Sequence, residues 1–162
     1  MKLLKSFNKK QLSLLLSLII ILVVIDQLIK YWVSNNLIRN FEYITILSFL
    51  EIRYIINTGV SFSFLDGINY QVIALLSFAA CILAIFLIAG FYKSVSKEFI
   101  IVLALLLAGS IGNLIDRLLF KGVIDYIHFH LGGYSFPIFN LADVYITFCS
   151  IIIIKNVILS RK

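Results

Sequence analysis

Charge is scarce in this chain. Only 14% of its 162 residues are charged, where a soluble domain of this size carries about a quarter. Hydrophobic residues make up 62%, and the mean hydropathy is +1.07. A water-soluble domain is excluded, and an integral membrane protein is implied. Pro137 is the only proline. No internal repeat, low-complexity tract or linker marks a second domain, so residues 1–162 read as one unit. Cysteine is as rare. Cys81 and Cys149 both fall in apolar runs, which argues against a disulfide framework and suits two reduced packing residues. The stretch "FAAC" ending at Cys81 faintly resembles a lipoprotein processing box, but it lies mid-chain and not after an N-terminal signal.

Other absences narrow the chemistry. No H-E-x-x-H is present, so the usual zinc-peptidase helix is missing. No G-x-S-x-G nucleophile elbow occurs. The two histidines, His128 and His130, fall on one face of a strand, but two histidines alone rarely make a metal site. No metal or cofactor is expected. The net charge of +6 resembles a nucleic-acid signal. The basic residues lie at segment ends, however, which suits membrane topology and not nucleic-acid binding.

Four apolar segments are long enough to span a bilayer, at about 20 residues each. They lie near 12–33, 70–92, 98–119 and 140–159. The expected fold is a membrane all-α bundle of four transmembrane helices with a small extracytoplasmic β-rich region. "MKLLKSFNKK" and the apolar run after it resemble a signal peptide, but no small-residue cleavage site follows. The run reads as a retained first helix. The tract 34–69 carries β-branched and aromatic residues in partial alternation, so it reads as strands. Open-edged strands leave backbone groups unpaired in lipid, which puts this tract at the interface. The tract 120–139 adds a strand or two, with Gly132 and Gly133 as a turn. Pro137 can start the last helix. Lys2, Lys5, Lys9 and Lys10, then Lys93 and Lys97, then Lys155, Arg161 and Lys162 share one side if there are four spans. The positive-inside rule makes that side cytoplasmic, with both termini there and the loops 34–69 and 120–139 outside.

Polar residues in such a chain are expensive to bury and point to function. "DQLIK" sets Asp26 and Lys30 four apart, the favoured order for a helical ion pair. "LAGSIGNLIDRL" gives Gly109 and Gly112 as room for a neighbouring helix. Its Asn113, Asp116 and Arg117 share one face. "KGVIDYI" holds Asp125 among β-formers, and "FPIFNLAD" places Asn140 and Asp143 three apart. "NTGVSF" offers Asn57 and Gly59, either as a turn or as a close backbone approach to a ligand.

If Asp125 and Asp143 converge, the two acids cannot both ionise readily, and the pair holds one proton near neutral pH. The ionised member can take a proton from an attacking water, and the protonated member can donate to the carbonyl oxygen. That is aspartic peptidase chemistry, and it needs no metal. A Ser–Lys dyad of Ser34 and Lys30 is a weaker alternative that leaves the downstream acids unexplained. A proton-carrying transporter or an interaction scaffold are the non-enzymatic readings. The transporter predicts polar residues spread toward mid-membrane in several helices, whereas the segment 70–92 has almost none and the acids gather at the outer end.

The blocks "DQLIK", "NTGVSF", "AGSIGNLIDR", "VIDYI" and "FNLAD" resemble, in order and spacing, the signatures of bacterial lipoprotein signal peptidase, signal peptidase II. The resemblance implies that Asp125 and Asp143 are the catalytic pair. It implies site-shaping or substrate-contacting roles for Asp26, Lys30, Asn57, Gly59, Gly109, Asn113, Asp116, Arg117, Asn140 and Ala142. Val144 stands where family members often have a small residue. The implied substrate is a diacylglyceryl-modified prolipoprotein cut just before its lipidated cysteine. The implied setting is the bacterial inner membrane, with membrane lipids as surroundings and a monomer as the expected state. The loop 34–69 is then expected to lie along the membrane surface and cradle substrate.

Overall fold

The computed structural model describes residues 8–37, 43–58 and 96–159, with seven helical positions between 71 and 86. Three helices and one sheet organise these residues: α1 (Lys9–Leu37), β1 (Ile44–Leu47), β2 (Leu50–Asn57), α2 (Lys97–Phe120), β3 (Val123–Leu131), β4 (Tyr134–Ser135) and α3 (Leu141–Leu159). Helices α1 and α2 are each long and apolar enough to cross a membrane. The expected second span, 70–92, lies mostly outside the described residues, as do Gly59 and Cys81.

The helices form because apolar residues run almost unbroken, and they stop where caps stop them. Ser96 caps α2 by accepting from the Phe99 N–H at 3.2 Å. At the other end Lys121 takes a left-handed conformation, φ 59°, and its N–H returns to the Arg117 carbonyl. The chain turns there into β3. The apolar core joins all three helices through Leu15 of α1, Phe99, Ile100, Leu103 and Leu106 of α2, and Cys149 of α3. Cys149 is a free, buried thiol, as its apolar setting implies. Outside that core, Ile20, Leu28, Phe148 and Ile151 are exposed, as lipid-facing side chains would be.

The sheet is antiparallel in the order β1-β2-β3-β4. Two expectations shift here. The strand tract is shorter than 34–69, because α1 continues to Leu37. Val33 and Leu37 pack with Tyr126, and Ile52 and Tyr54 join them, so the helix end carries the sheet. Pro137 does not start α3, which begins at Leu141. Phe139 is tied first to β3 by three backbone hydrogen bonds, two from Tyr126 and Ile127 to its carbonyl and one back to Ile127. The Gly132–Gly133 turn is present, with φ 57° and 86°. Between the pairs Ile52–Ile127 and Ile55–Asp125, two residues of β2 (Arg53 and Tyr54) face one of β3 (Tyr126), a bulge that bends the strand beside Asp125.

Helices α2 and α3 meet at Gly109. A Cβ there would lie 2.5 Å from the Ala142 carbonyl oxygen and 2.8 Å from Ile146. Both are on α3, and the carbonyl is backbone that cannot swing aside. Gly109→Ala should therefore cost about 1–3 kcal/mol by forcing the helices apart. A thermal melt in detergent checks this, and an unchanged midpoint would show that the helices do not need the close approach.

Candidate active site

The site begins with a buried cation. Lys30, on α1, is only 1% exposed. Its Nζ lies 2.9 Å from Asp26 Oδ2, 2.8 Å from Asp116 Oδ2 and 3.2 Å from Asn113 Oδ1. An ammonium has three donors, and here each has an acceptor. Asp26 and Lys30 pair as their spacing predicts. Asp116 and Asn113 of α2 close the cluster from the other side. The Ser34 hydroxyl donates to the Lys30 carbonyl at 2.8 Å. Lys30 is committed elsewhere, so the Ser–Lys alternative has no geometric basis.

Gln27 was not singled out by sequence. Its Nε2 lies 3.2 Å from Asp26 Oδ2, 3.1 Å from Asp116 Oδ1 and 3.2 Å from the Gly112 carbonyl. It ties α1 to α2 at the level of the ion cluster. The signal available was its place inside "DQLIK", between two charged residues. Gly112 is forced by the same contact, since a Cβ there would fall 2.5 Å from Asp26 Oδ2. Arg117 donates Nη1 to the Asn113 carbonyl at 3.4 Å, so of the two charged neighbours it is Asp116 that reaches Lys30.

One of these acids, Asp26, also helps to cap α3. A helix start leaves its first N–H groups without intrahelical partners. Leu141 N–H donates to the Tyr126 hydroxyl at 3.2 Å, and Ala142 N–H to Asp26 Oδ1 at 3.1 Å. Asp143 N–H donates to Asn140 Oδ1 at 2.9 Å, and Asn140 N–H to Asp143 Oδ2 at 3.2 Å. The last two bonds are a reciprocal capping box built from Asn and Asp. Tyr126, a neighbour of Asp125 that sequence did not assign a role, supplies one cap. Ala142 is fully buried because its backbone lies against Asp26 and α2.

Asn140 joins the two acids. Its side-chain Nδ2 donates to Asp125 Oδ1 at 2.6 Å and to Asn113 Oδ1 at 3.2 Å. Asn113 Nδ2 in turn donates to Asp143 Oδ1 at 2.9 Å. Asn57, ending β2, donates to Asp125 Oδ2 at 2.9 Å. Asn57 is thus a ligand of the acid and not merely a turn residue. Asp125 is 3% exposed, and Asp143 is half-buried. Burial, helped by the nearby Asp143, pushes the Asp125 carboxyl up to about 6 against the opposing Asn57 and Asn140 amides. Asp125, Asp143, Asn113 and Asn140 therefore form one hydrogen-bonded unit beside the Lys30 cluster. Val144, next to Asp143, is exposed.

Losing Lys30 should be costly, because Asp26 and Asp116 would be left buried without their cation. Lys30→Ala is expected to destabilise the protein by about 3–5 kcal/mol. Denaturation of the purified variant measures this. A loss below about 1 kcal/mol would mean the acids do not depend on the ammonium.

Residues 18–159 match the family model described as Signal peptidase (SPase) II. A Rickettsia bellii protein named "Lipoprotein signal peptidase" is 38% identical over 164 residues, covering 97% of this chain and 82% of that one. A Bartonella quintana protein of the same name is 37% identical over 152 residues, covering 92% and 89%. A bacterial membrane enzyme solved by the in meso method at 2.3 Å resolution superposes with a TM-score of 0.73 at 27% identity, covering 91% of this chain and 89% of that one. A second, at 1.9 Å resolution, gives 0.66 at 28% identity, covering 88% and 91%.

Proposed function

The chain belongs to the signal peptidase II family, a membrane endopeptidase family that processes prolipoproteins; from that premise we propose that Asp125 and Asp143 are its catalytic dyad. The observation that carries this reading is Asn140. One residue donates to Asp125 through its side chain while its backbone N–H and Oδ1 are locked to Asp143. The two carboxyls are therefore held within one residue's reach.

Their surroundings differ, and that divides the roles. Asp125 is the more buried, which favours its neutral form. Asp143 sits in the first turn of α3, where the helix dipole favours a negative charge. The shared proton then rests on Asp125. Asp143 takes a proton from water as the water oxygen attacks the scissile carbonyl carbon. Asp125 gives its proton to the carbonyl oxygen. When the tetrahedral intermediate collapses, a proton passes from the dyad to the leaving nitrogen and the C–N bond breaks.

The substrate in this reading is a diacylglyceryl-modified prolipoprotein, cut just before the lipidated cysteine. Exposed Ile46, Leu47 and Phe49, on the same sheet as Asp125, support an apolar surface for it. The arrangement of basic residues supports four spans, cytoplasmic termini and a dyad on the outer side of the bacterial inner membrane. The transporter and scaffold readings have no observation in their favour. The remaining residues keep supporting roles: Asp26, Lys30, Gln27 and Asp116 fix the helices, and Asn57, Asn113 and Asn140 orient the acids.

A processing assay on a lipidated precursor, with Asp125→Asn and Asp143→Asn, tests the dyad. Each variant should melt as a folded protein and lose at least about a hundredfold in turnover. Full cleavage by either would remove that residue from the chemistry.

A further inference from the structure

Away from the dyad, on the paired strands β2 and β3, three side chains meet that the peptidase reading does not use. Glu51 and His128 are directly opposed across the strands, and His130 follows two residues along. Glu51 and His128 are each 7% exposed. One potential ligand atom from each residue lies within 4.8 Å of the others. The histidine rings stack with centroids 5.2 Å apart. We propose that Glu51, His128 and His130 form a binding site for one divalent transition-metal ion of the zinc class, separate from the catalytic acids.

The argument is one of proton placement. His128 Nε2 lies 2.8 Å from the Ser135 hydroxyl, and His128 Nδ1 lies 3.3 Å from Glu51 Oε2. If Nε2 carries the hydrogen and donates to Ser135, then Nδ1 turns a lone pair toward a carboxylate. In that tautomer the two acceptors take a cation between them; in the other, Nδ1–H donates to Glu51 and the Ser135 hydroxyl donates to Nε2. His130 Nε2 is in the same situation. It is buried, lies 3.1 Å from Glu51 Oε1, and has no partner in hydrogen-bond alignment. The contact has the distance of an ion pair without the geometry of a hydrogen bond.

A metal ion answers all three groups at once. Ligands about 2.1 Å from a tetrahedral ion stand about 3.4 Å apart. The His130 Nε2···Glu51 Oε1 separation of 3.1 Å is already near that value, and the three ligand atoms lie within 4.8 Å of one another. The supporting contacts are also those of a metal site. A ligating histidine normally gives its other nitrogen to a hydrogen-bond partner, the role Ser135 fills for His128. A ligating carboxylate is held by a further donor, the role of Arg53, whose Nε and Nη2 lie 2.8 and 2.7 Å from Glu51 Oε2. Arg53 occupies Oε2 and leaves Oε1 for the ion. Two imidazoles and a carboxylate suit zinc-class ions, whereas magnesium and calcium prefer oxygen. Loaded, the ion would clip β2 to β3.

The test counts metal on the purified, tag-free full chain in detergent. After exposure to zinc chloride and removal of free ion, elemental analysis should give about one zinc per chain. His130→Gln and His128→Ala should each reduce that at least about tenfold, while the Asp125→Asn/Asp143→Asn double variant keeps it. Zinc should raise the melting temperature of the wild type and of the double variant, and not that of His130→Gln. Magnesium chloride should do neither. His130→Gln preserves side-chain size at a partly exposed position, and its own melt reports whether it folds. Substoichiometric zinc in the wild type, or full zinc in both histidine variants, would overturn the proposal. Loss of zinc in the double aspartate variant would do so too, by placing the ion at the dyad. None of these outcomes depends on peptidase activity.

Discussion

A lysine ammonium buried between two carboxylates is the constraint from which the rest of the site follows. Removing Lys30, Asp26 and Asp116 from water is expensive, and the arrangement persists only when each donor and acceptor is met. Meeting them recruits all three helices and the sheet. Asp26 reaches from α1 to cap α3 at Ala142. Asp116 reaches from α2 to the Ile124 N–H, 3.1 Å away at the start of β3. Gln27 spans the gap between α1 and α2. The ion cluster thereby fixes where β3 leaves α2 and where α3 begins, and those two places carry Asp125 and Asp143.

Charge balance then shapes the dyad. Asp26, Asp116, Asp125 and Asp143 are four acids gathered around Lys30, whose ammonium already faces two of them. In a poorly solvated setting such an excess of negative charge favours retaining a proton. Asp125 is the best placed to hold it. It is nearly sealed from water and faces another acid. The sign of the linkage follows. Raised above its unfolded value, the Asp125 pKa contributes stability that is complete below about pH 4 and is lost as pH rises through about 6. In the proposed role of Asp125, an acid kept neutral by its surroundings is thus bought with some stability at alkaline pH.

Much of this was legible in sequence, for identifiable reasons. An i, i+4 pair such as Asp26 and Lys30 is local, so spacing alone predicts it. Asn140 and Asp143 are legible only as a three-residue spacing; their mutual capping is not, because Pro137 reads as the helix start and α3 begins at Leu141. Charged residues in an apolar chain stand out, which is how Asp116 and Asp125 were found. Gln27 did not stand out, because its three partners come from two helices and only assembly brings them together. Tyr126 looked like one more β-forming aromatic until its hydroxyl met Leu141. Glu51 lies 77 residues from His128 in sequence, and a strand register is needed to join them. The end of α1 lies beyond the expected 33 for a related reason: the helix continues to Leu37, on which the sheet packs.

The central claim is that Asp125 carries the shared proton. Infrared titration of carboxyl groups, comparing wild type with Asp125→Asn, tests it most directly. The wild type should show a protonated-carboxyl band that disappears as pH rises through about 6, and the variant should lack it. A band of that midpoint persisting in Asp125→Asn would contradict the assignment, as would its absence from the wild type at lower pH.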